Sequence, residues 1–163
     1  MEFLASDTGV TRQTVHNLFG TKSQLIEALF DEIAIEGGLN QMGAIMRLHD
    51  PHLMLREFVK VLTGFWAAHR LLIRRIHGIA SIDPEFGKAV EARNRRRQLG
   101  AARITELLDA NQGGNSGEQA RTERVATLYA FTSFEFYDSL AESSAKPDVS
   151  SQVLALVEKC VIA

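Results

Sequence analysis

With 163 residues, 45% of them apolar, the chain can bury a substantial core but is short for two independent domains. The formal net charge of −2 excludes a basic signature across the whole chain, so nucleic-acid contacts must be local or supplemented by a partner subunit. A single cysteine, Cys160, excludes an intramolecular disulfide framework. Since no apolar run reaches about 18 residues and no basic signal-peptide head is present, we expect a cytoplasmic protein.

A sharp turn between two short helices is predicted near residue 9. Gly9 can adopt the positive φ that such a turn requires, and Thr11 can cap the helix that follows it. Apolar residues suit the packed side of that second helix, which leaves polar side chains facing outward: Arg12, Gln13, Thr14, His16 and Asn17. The pattern indicates a helix-turn-helix, whose second helix enters the major groove of DNA.

These residues resemble the DNA-binding signature of the tetracycline-repressor-like (TetR) family of transcriptional regulators. The family pattern is roughly I-A-x-x-A-G-V-[ST]-x-x-[ST]-[LIV]-Y-x-x-F-x-[ST]-K-x-x-L, and this chain matches it at Leu4, Ala5, Gly9, Val10, Thr11, Thr14, Val15, Phe19, Lys22 and Leu25. Thr8 replaces a small alanine, and His16 replaces a tyrosine that contacts phosphate. An imidazole can still donate a hydrogen bond there. The resemblance is specific over residues 3–30 and only architectural over residues 37–163.

The resemblance implies that these residues contact a double-stranded DNA operator. Base edges would be read by Arg12, Gln13, Thr14 and Asn17, since Gln pairs with adenine and Arg with guanine. His16 and Lys22 would contact phosphates, and Lys22 begins the next helix, where the helix dipole also favours an anion. With Thr11, these seven residues form the predicted DNA-binding set. The alternative is a solvated helix face in a degenerate regulator.

The family also carries a helix before the segment that begins here at Glu2, so we expect a helix-turn-helix head whose first helix is missing. Residues 1–36 contain two basic and six acidic side chains, a net charge of −4. Since phosphate contacts supply most non-specific DNA affinity, we expect this chain to bind DNA weakly, and a form extended upstream to bind well.

Apolar residues recur at helical spacing through the rest of the chain, without the alternation typical of a strand, which predicts an all-α fold. Helices are expected from a Thr21 or Ser23 cap to Gly37-Gly38, and then over residues 40–49, 52–69 with a continuation past a bend near Arg70, 84–110, 118–142 and 148–161. We place a soft boundary at the glycine pair, between a DNA-binding domain (1–36) and a helical ligand-binding and dimerisation domain (37–163).

The last two predicted helices carry apolar groups on more than one side, so each must be covered on two sides. A second copy of the chain would supply that cover, and the resemblance implies a four-helix homodimer interface built from these helices. The alternative is that both are central helices of a monomeric bundle.

Aromatic residues are abundant on the predicted helices 52–69, 84–110 and 118–142, where they could line an apolar cavity for a small-molecule effector. The alternative for most of them is ordinary core. Arg93 and Arg97 share a helix face with apolar residues, so each needs a carboxylate partner or an anionic ligand, unless the side chains extend to solvent. The predicted ligand-binding set is Phe58, Leu62, Phe65, Trp66, His69, Phe86, Arg93, Arg97, Tyr129 and Phe134.

No enzyme, metal site or cofactor is expected. The five histidines lack metal-ligand spacing, and no nucleophile lies beside a base. Cys160 falls on an apolar helix, where it is expected to act as a small hydrophobic residue. These observations favour a ligand-responsive transcriptional regulator, most simply a repressor. The alternative is a dimeric small-molecule-binding or interaction protein that has lost DNA binding.

Overall fold

The computed structural model describes residues 11, 13, 14, 17, 21–114, 117–146 and 148–162. In this part of the chain the fold is all-α, with seven α-helices and no strand, as predicted. The helices are α1 (Lys22–Glu36), α2 (Met42–Ile45), α3 (Pro51–Ile82), α4 (Pro84–Asn111), α5 (Glu118–Phe131), α6 (Phe134–Ser143) and α7 (Ser150–Val157). A 3-10 turn, Leu39–Gln41, precedes α2, and a π-helical turn, Glu158–Ile162, follows α7. None of the described helices combines the length and apolar character needed to cross a bilayer.

Both ends of α1 lie where the local sequence signals predict them. Thr21 accepts a hydrogen bond from the main-chain N–H of Gln24, and the Gln24 side chain accepts one from the N–H of Thr21, which completes a capping box. At the other end the N–H of Gly37 bonds to the oxygen of Ile33. Gly38 has a φ of 77°, a conformation that favours glycine.

Replacing Thr21 with alanine is expected to destabilise the chain by about 1 kcal/mol, because the N–H of Gln24 in the first turn loses its side-chain acceptor. The matched control is Thr122→Ala. Thr122 is exposed within α5 and bonds only back to the oxygen of Glu118, so its loss is expected to be neutral or slightly stabilising. Urea denaturation followed by circular dichroism measures both changes, and equal effects of the two would contradict the capping role.

Helices α3 and α4 form the centre of the core. Asp50 caps α3 through the N–H of His52, and Asp83 both ends α3 and caps α4. The predicted bend near Arg70 is confirmed, since His69 has non-helical angles (φ −116°, ψ 19°) inside α3. Large, fully buried side chains of α3, α4, α5 and α6 include Met54, Leu55, Phe58, Ile104, Leu108, Leu128 and Tyr137.

The prediction of one helix over residues 118–142 was wrong. The chain breaks at Thr132 and Ser133, which separates α5 from α6. Thr132 turns its hydroxyl back to the oxygen of Leu128, and Ser133 caps α6 by accepting from the N–H of Phe136. The indole Nε1 of Trp66, on α3, donates to the oxygen of Thr132 at 3.1 Å, which satisfies a carbonyl that the break leaves without a helical partner.

Two other helices differ from their predicted extent. The segment 40–49 forms only the 3-10 turn and the four-residue α2. The last helix starts at Ser150 and changes to π-helical geometry after Val157, and its buried side is formed by Val149, Val153, Val157 and Val161. Cys160, predicted on that apolar side, is exposed because the one-residue offset from Val161 turns it away from the core.

An ion cluster joins the second half of α3 to α6. Arg70 and Arg74 both bond to Asp138, at 2.6 and 2.8 Å, and both reach Glu142. Burial opposes the ionisation of Asp138, but the hydrogen bonds from Arg74 and Arg70 outweigh it and lower its pKa. The Asp138 carboxylate therefore stabilises the fold at pH values above its ordinary pKa of 3.8, and this contribution is lost as the pH falls through the lower folded-state pKa.

Asp138→Asn is expected to lower the free energy of unfolding by about 2 kcal/mol at pH 7, because the partly buried Arg70 and the more exposed Arg74 lose their shared charged acceptor. The deficit relative to the wild type is expected to shrink at pH 3, because that pH lies below the ordinary carboxyl pKa of 3.8 and the stabilising contribution declines from there towards the lower folded-state pKa. Glu158→Gln is the control. Its pair with Arg56 is largely solvent-exposed, so the loss should stay below about 1 kcal/mol. A deficit of Asp138→Asn that does not change with pH would contradict this account.

Candidate ligand site

Four residues of the predicted DNA-binding set have described side chains. Gln13, Thr14 and Asn17 are helical and exposed, and the N–H of Thr14 donates to Thr11 Oγ1 at 3.1 Å. The predicted capping role of Thr11 is therefore confirmed. The Gln13 amide donates to Asn17 Oδ1 at 2.9 Å, so these two polar side chains share one helix face. Arg12, His16 and the Lys22 side chain, like the predicted turn at Gly9, lie outside the described residues.

A cavity of about 840 Å³ lies between α1, the segment 39–46, α3 and α4. Its volume is in the range of small-molecule sites. The lining is mainly apolar and aromatic, with polar groups concentrated on α4: Phe30, Asp31, Ala34, Ile35, Leu39, Asn40, Met42, Met46, Phe58, Phe65, Trp66, Ile73, Ile76, His77, Val90, Arg93, Asn94, Arg96, Arg97, Leu99, Gly100 and Arg103.

Five of the ten predicted ligand-binding residues line this cavity: Phe58, Phe65, Trp66, Arg93 and Arg97. The other five lie behind or beside its walls. Leu62 is buried in the core, and the His69 ring lies 5.2 Å from that of Phe65. Phe86 packs on Phe30, Tyr129 lies under Arg97, and Phe134 packs on Trp66 and His77.

The cavity is bounded by α1 and the segment 39–46, where the sequence predicted a wall from residues 118–142. Phe30, Ala34 and Ile35 of α1 and the methionines Met42 and Met46 were therefore missed. Leu99 of α4 was missed as well, and for Leu99 and Ile35 a signal exists in the sequence. Ile35 and Leu99 are apolar residues off the main core stripes of their helices, and they remain 60% and 64% exposed at the edge of the cavity.

Arg93 bridges α4 to α1 beside the cavity. Its Nη2 lies 2.8 Å from Glu27 Oε2 and 3.5 Å from Asp31 Oδ1, and its guanidinium lies 4.0 Å from the centre of the Phe30 ring. The hydrogen bond from Arg93 lowers the pKa of Glu27. This arginine therefore has the carboxylate partners that its position on an apolar face requires.

Arg97 is the buried cation of the site, with 8% of its surface exposed. Its Nη1 donates to the main-chain oxygen of Tyr129 and, at 3.2 Å, to Thr132 Oγ1, and the guanidinium lies 4.0 Å from the centre of the Tyr129 ring. Burial lowers the pKa of Arg97, and among the described residues the opposing attraction from a carboxylate comes through space from Glu135 rather than from a direct ion pair. Arg97 thus holds the α5–α6 break in place while lining the cavity.

His77 and Glu135 extend the polar side of the site. His77 Nδ1 donates to Glu135 Oε1 at 2.9 Å, and this hydrogen bond lowers the pKa of Glu135 to about 2. Glu135 is therefore ionised at neutral pH, and its hydrogen-bond partner His77 lies in the cavity wall. Among the described residues, no group of three or more His, Cys, Asp or Glu side chains could hold a metal ion.

Comparison with protein-family models, with curated proteins and with solved structures finds no match in any of the three. The functional inference therefore depends on the chain's own residues: the spaced signature before α1, and a cavity whose wall includes α1 itself.

Proposed function

We propose that the chain is a DNA-binding transcriptional regulator, a repressor that a small molecule bound in the cavity releases from DNA, and that it acts as a homodimer on a double-stranded operator. The observation that carries the proposal is the position of α1. This helix starts at the lysine of the TetR-like signature and supplies Phe30, Asp31, Ala34 and Ile35 to the cavity wall. A ligand in the cavity would contact the helix that directly follows the predicted DNA-binding residues.

Buried apolar residues and an ion pair join α1 to the body of the protein. Phe30 packs on Phe86 with ring centres 5.8 Å apart, and Arg93 bonds to Glu27. A ligand that binds one arrangement of α1 better than another shifts the equilibrium between the two. In a dimer that reads half-sites one helical turn of DNA apart, a small change in the separation of the recognition helices weakens simultaneous contact.

The dimer surface is proposed on the partly exposed faces of α5, α6 and α7. The rings of Phe131 and Phe136 pack in a tilted arrangement with centres 4.8 Å apart, and Leu140 and Leu154 are also only partly buried in the single chain. Val157, by contrast, is fully buried within one chain, so a charge at that position would test folding rather than dimerisation.

Phe136→Glu is expected to convert the dimer to monomers, because it places a charge in the proposed apolar interface. Phe136 is only partly buried in the single chain, so the fold is expected to be retained. The measurement is mass by light scattering, with circular dichroism to establish that the variant keeps its helix content. Ser139→Glu, an exposed change on the same helix, is the control for added charge. A wild-type mass equal to one chain would contradict the proposed dimer.

An electrophoretic mobility shift with DNA from upstream of the protein's own gene tests the DNA-binding part. Specific binding is expected to fail in the double variant Gln13→Ala/Asn17→Ala, since both exposed amides face outward from one helix. The alternative, a dimeric small-molecule-binding protein without DNA binding, is favoured by the exposed carboxylates along α1 at Glu27, Asp31, Glu32 and Glu36. Ligand binding without any specific shift of DNA would support that alternative.

A further inference from the structure

The guanidinium of Arg97 has good hydrogen-bond acceptors on one side and incomplete hydrogen bonding on the other. Nη1 is held by the oxygens of Tyr129 and Thr132. On the other side, Nε is buried without a hydrogen-bond partner, and Nη2 has a long contact of 3.4 Å to Asn94 Oδ1. The Nε–Nη2 edge is a planar two-donor fork, the geometry that matches the two oxygens of a carboxylate.

The incomplete hydrogen bonding of the Nε–Nη2 edge costs free energy, because the edge is buried. Arg97 is more than nine-tenths buried, and a buried donor without an acceptor loses its hydration without compensation. Arg97 and Asn94 both line the cavity, and the Asn94 side chain is the group in contact with Nη2 on this edge. The protein thus presents a desolvated cation beside an apolar cavity.

Of the other charged lining residues, Arg96 is exposed to solvent and the rest have charged partners. Asp31, the one acidic residue among the described lining residues, is paired with Arg93, which also binds Glu27. Arg103 lies 3.2 Å from Glu106. Arg97 is therefore the buried cation of the lining that has no carboxylate in direct contact among the described residues, and a single negative charge would match it.

We propose that the ligand of this cavity is an amphipathic carboxylic acid. Its carboxylate takes the Nε–Nη2 edge of Arg97 as the Asn94 amide moves aside, and its apolar body lies against Phe58, Trp66 and Ile73. The inference rests on the proposed function for its biological role, since the same cavity is the proposed effector site. The proposed recognition of a carboxylate depends only on the cavity and on Arg97, and not on the proposed function.

Calorimetric titration of the purified chain with decanoate and with decanamide tests the charge requirement without any mutation. The two probes share an apolar tail and differ in the head group. Decanoate is expected to bind at one site per chain and at least about tenfold more tightly than the amide, the difference expected for hydrogen bonds to a charged group. Equal affinities, or no binding of decanoate, would overturn the proposal.

Two variants place the effect at Arg97. Asn94→Asp is nearly isosteric and sets a carboxylate beside Nη2, so it is expected to abolish the preference for the acid while the fold keeps or gains stability. Arg95→Gln, an exposed change on the same helix outside the lining, is expected to keep the preference. Retention of the preference in Asn94→Asp, or its loss in Arg95→Gln, would overturn the assignment.

The DNA measurements separate this inference from the proposed function. Selective decanoate binding with no specific DNA binding by the chain would support the carboxylate site and contradict the regulator. Specific DNA binding together with equal affinity for acid and amide would support the regulator and overturn the carboxylate site.

Discussion

Replacing Trp66 with alanine is expected to lower the free energy of unfolding by about 3–5 kcal/mol, a large part of the 5–15 kcal/mol that a domain commonly has. Trp66 is 9% exposed, packs edge-on against Phe65 and Phe134, and donates to the oxygen of Thr132. Its loss opens a void next to an existing cavity and frees the break between α5 and α6. Urea denaturation followed by circular dichroism measures the change.

Trp66→Phe separates the contribution of ring packing from that of the hydrogen bond to Thr132. The smaller ring keeps part of the packing but cannot donate to Thr132, so a loss of about 1–3 kcal/mol is expected, between the wild type and the alanine variant. A loss below about 1 kcal/mol in Trp66→Ala would show that Trp66 does not brace the α5–α6 break.

Filling the cavity is expected to abolish ligand binding. Val90 is half-buried on α4 and lines the cavity, so the larger side chain of Val90→Trp has room in the space that a ligand would occupy. Affinity for decanoate is expected to fall at least about tenfold, a loss of about 1.4 kcal/mol of binding free energy. The free energy of unfolding is expected to change by no more than about 1 kcal/mol, since little overpacking is required.

The control for the bulk of the tryptophan is Gln98→Trp, at an exposed position on α4 outside the cavity lining. It is expected to bind decanoate as the wild type does. Unchanged affinity in Val90→Trp, or an equal loss in both variants, would mean that decanoate binds elsewhere.

Helix ends were predictable wherever a local signal sets them. The Thr21 cap, the Gly37-Gly38 end of α1, Pro51 at the start of α3 and the Asp83-Pro84 junction each depend on residues within one turn. The break at Thr132 was not predictable in this way. Helical periodicity continues across it, and it is stabilised by Trp66 and Arg97, which are distant in sequence.

The candidate site shows the same division. Phe58, Phe65, Trp66, Arg93 and Arg97 were predictable, because helical periodicity places them on the inner faces of α3 and α4. The contribution of α1 was not, since it depends on the angle at which α1 crosses α4. The different surroundings of Arg93 and Arg97 also depend on that packing, which brings Glu27 to one arginine and no carboxylate into direct contact with the other within the described residues.

The central claim is that occupancy of the cavity controls DNA binding. Fluorescence anisotropy of a labelled duplex from upstream of the gene, measured at low salt with and without saturating decanoate, tests it most directly. Specific binding that decanoate weakens at least about tenfold in the wild type, but not in Val90→Trp, is the predicted result. No preference for this duplex over a scrambled one, or specific binding that decanoate leaves unchanged, would contradict the claim.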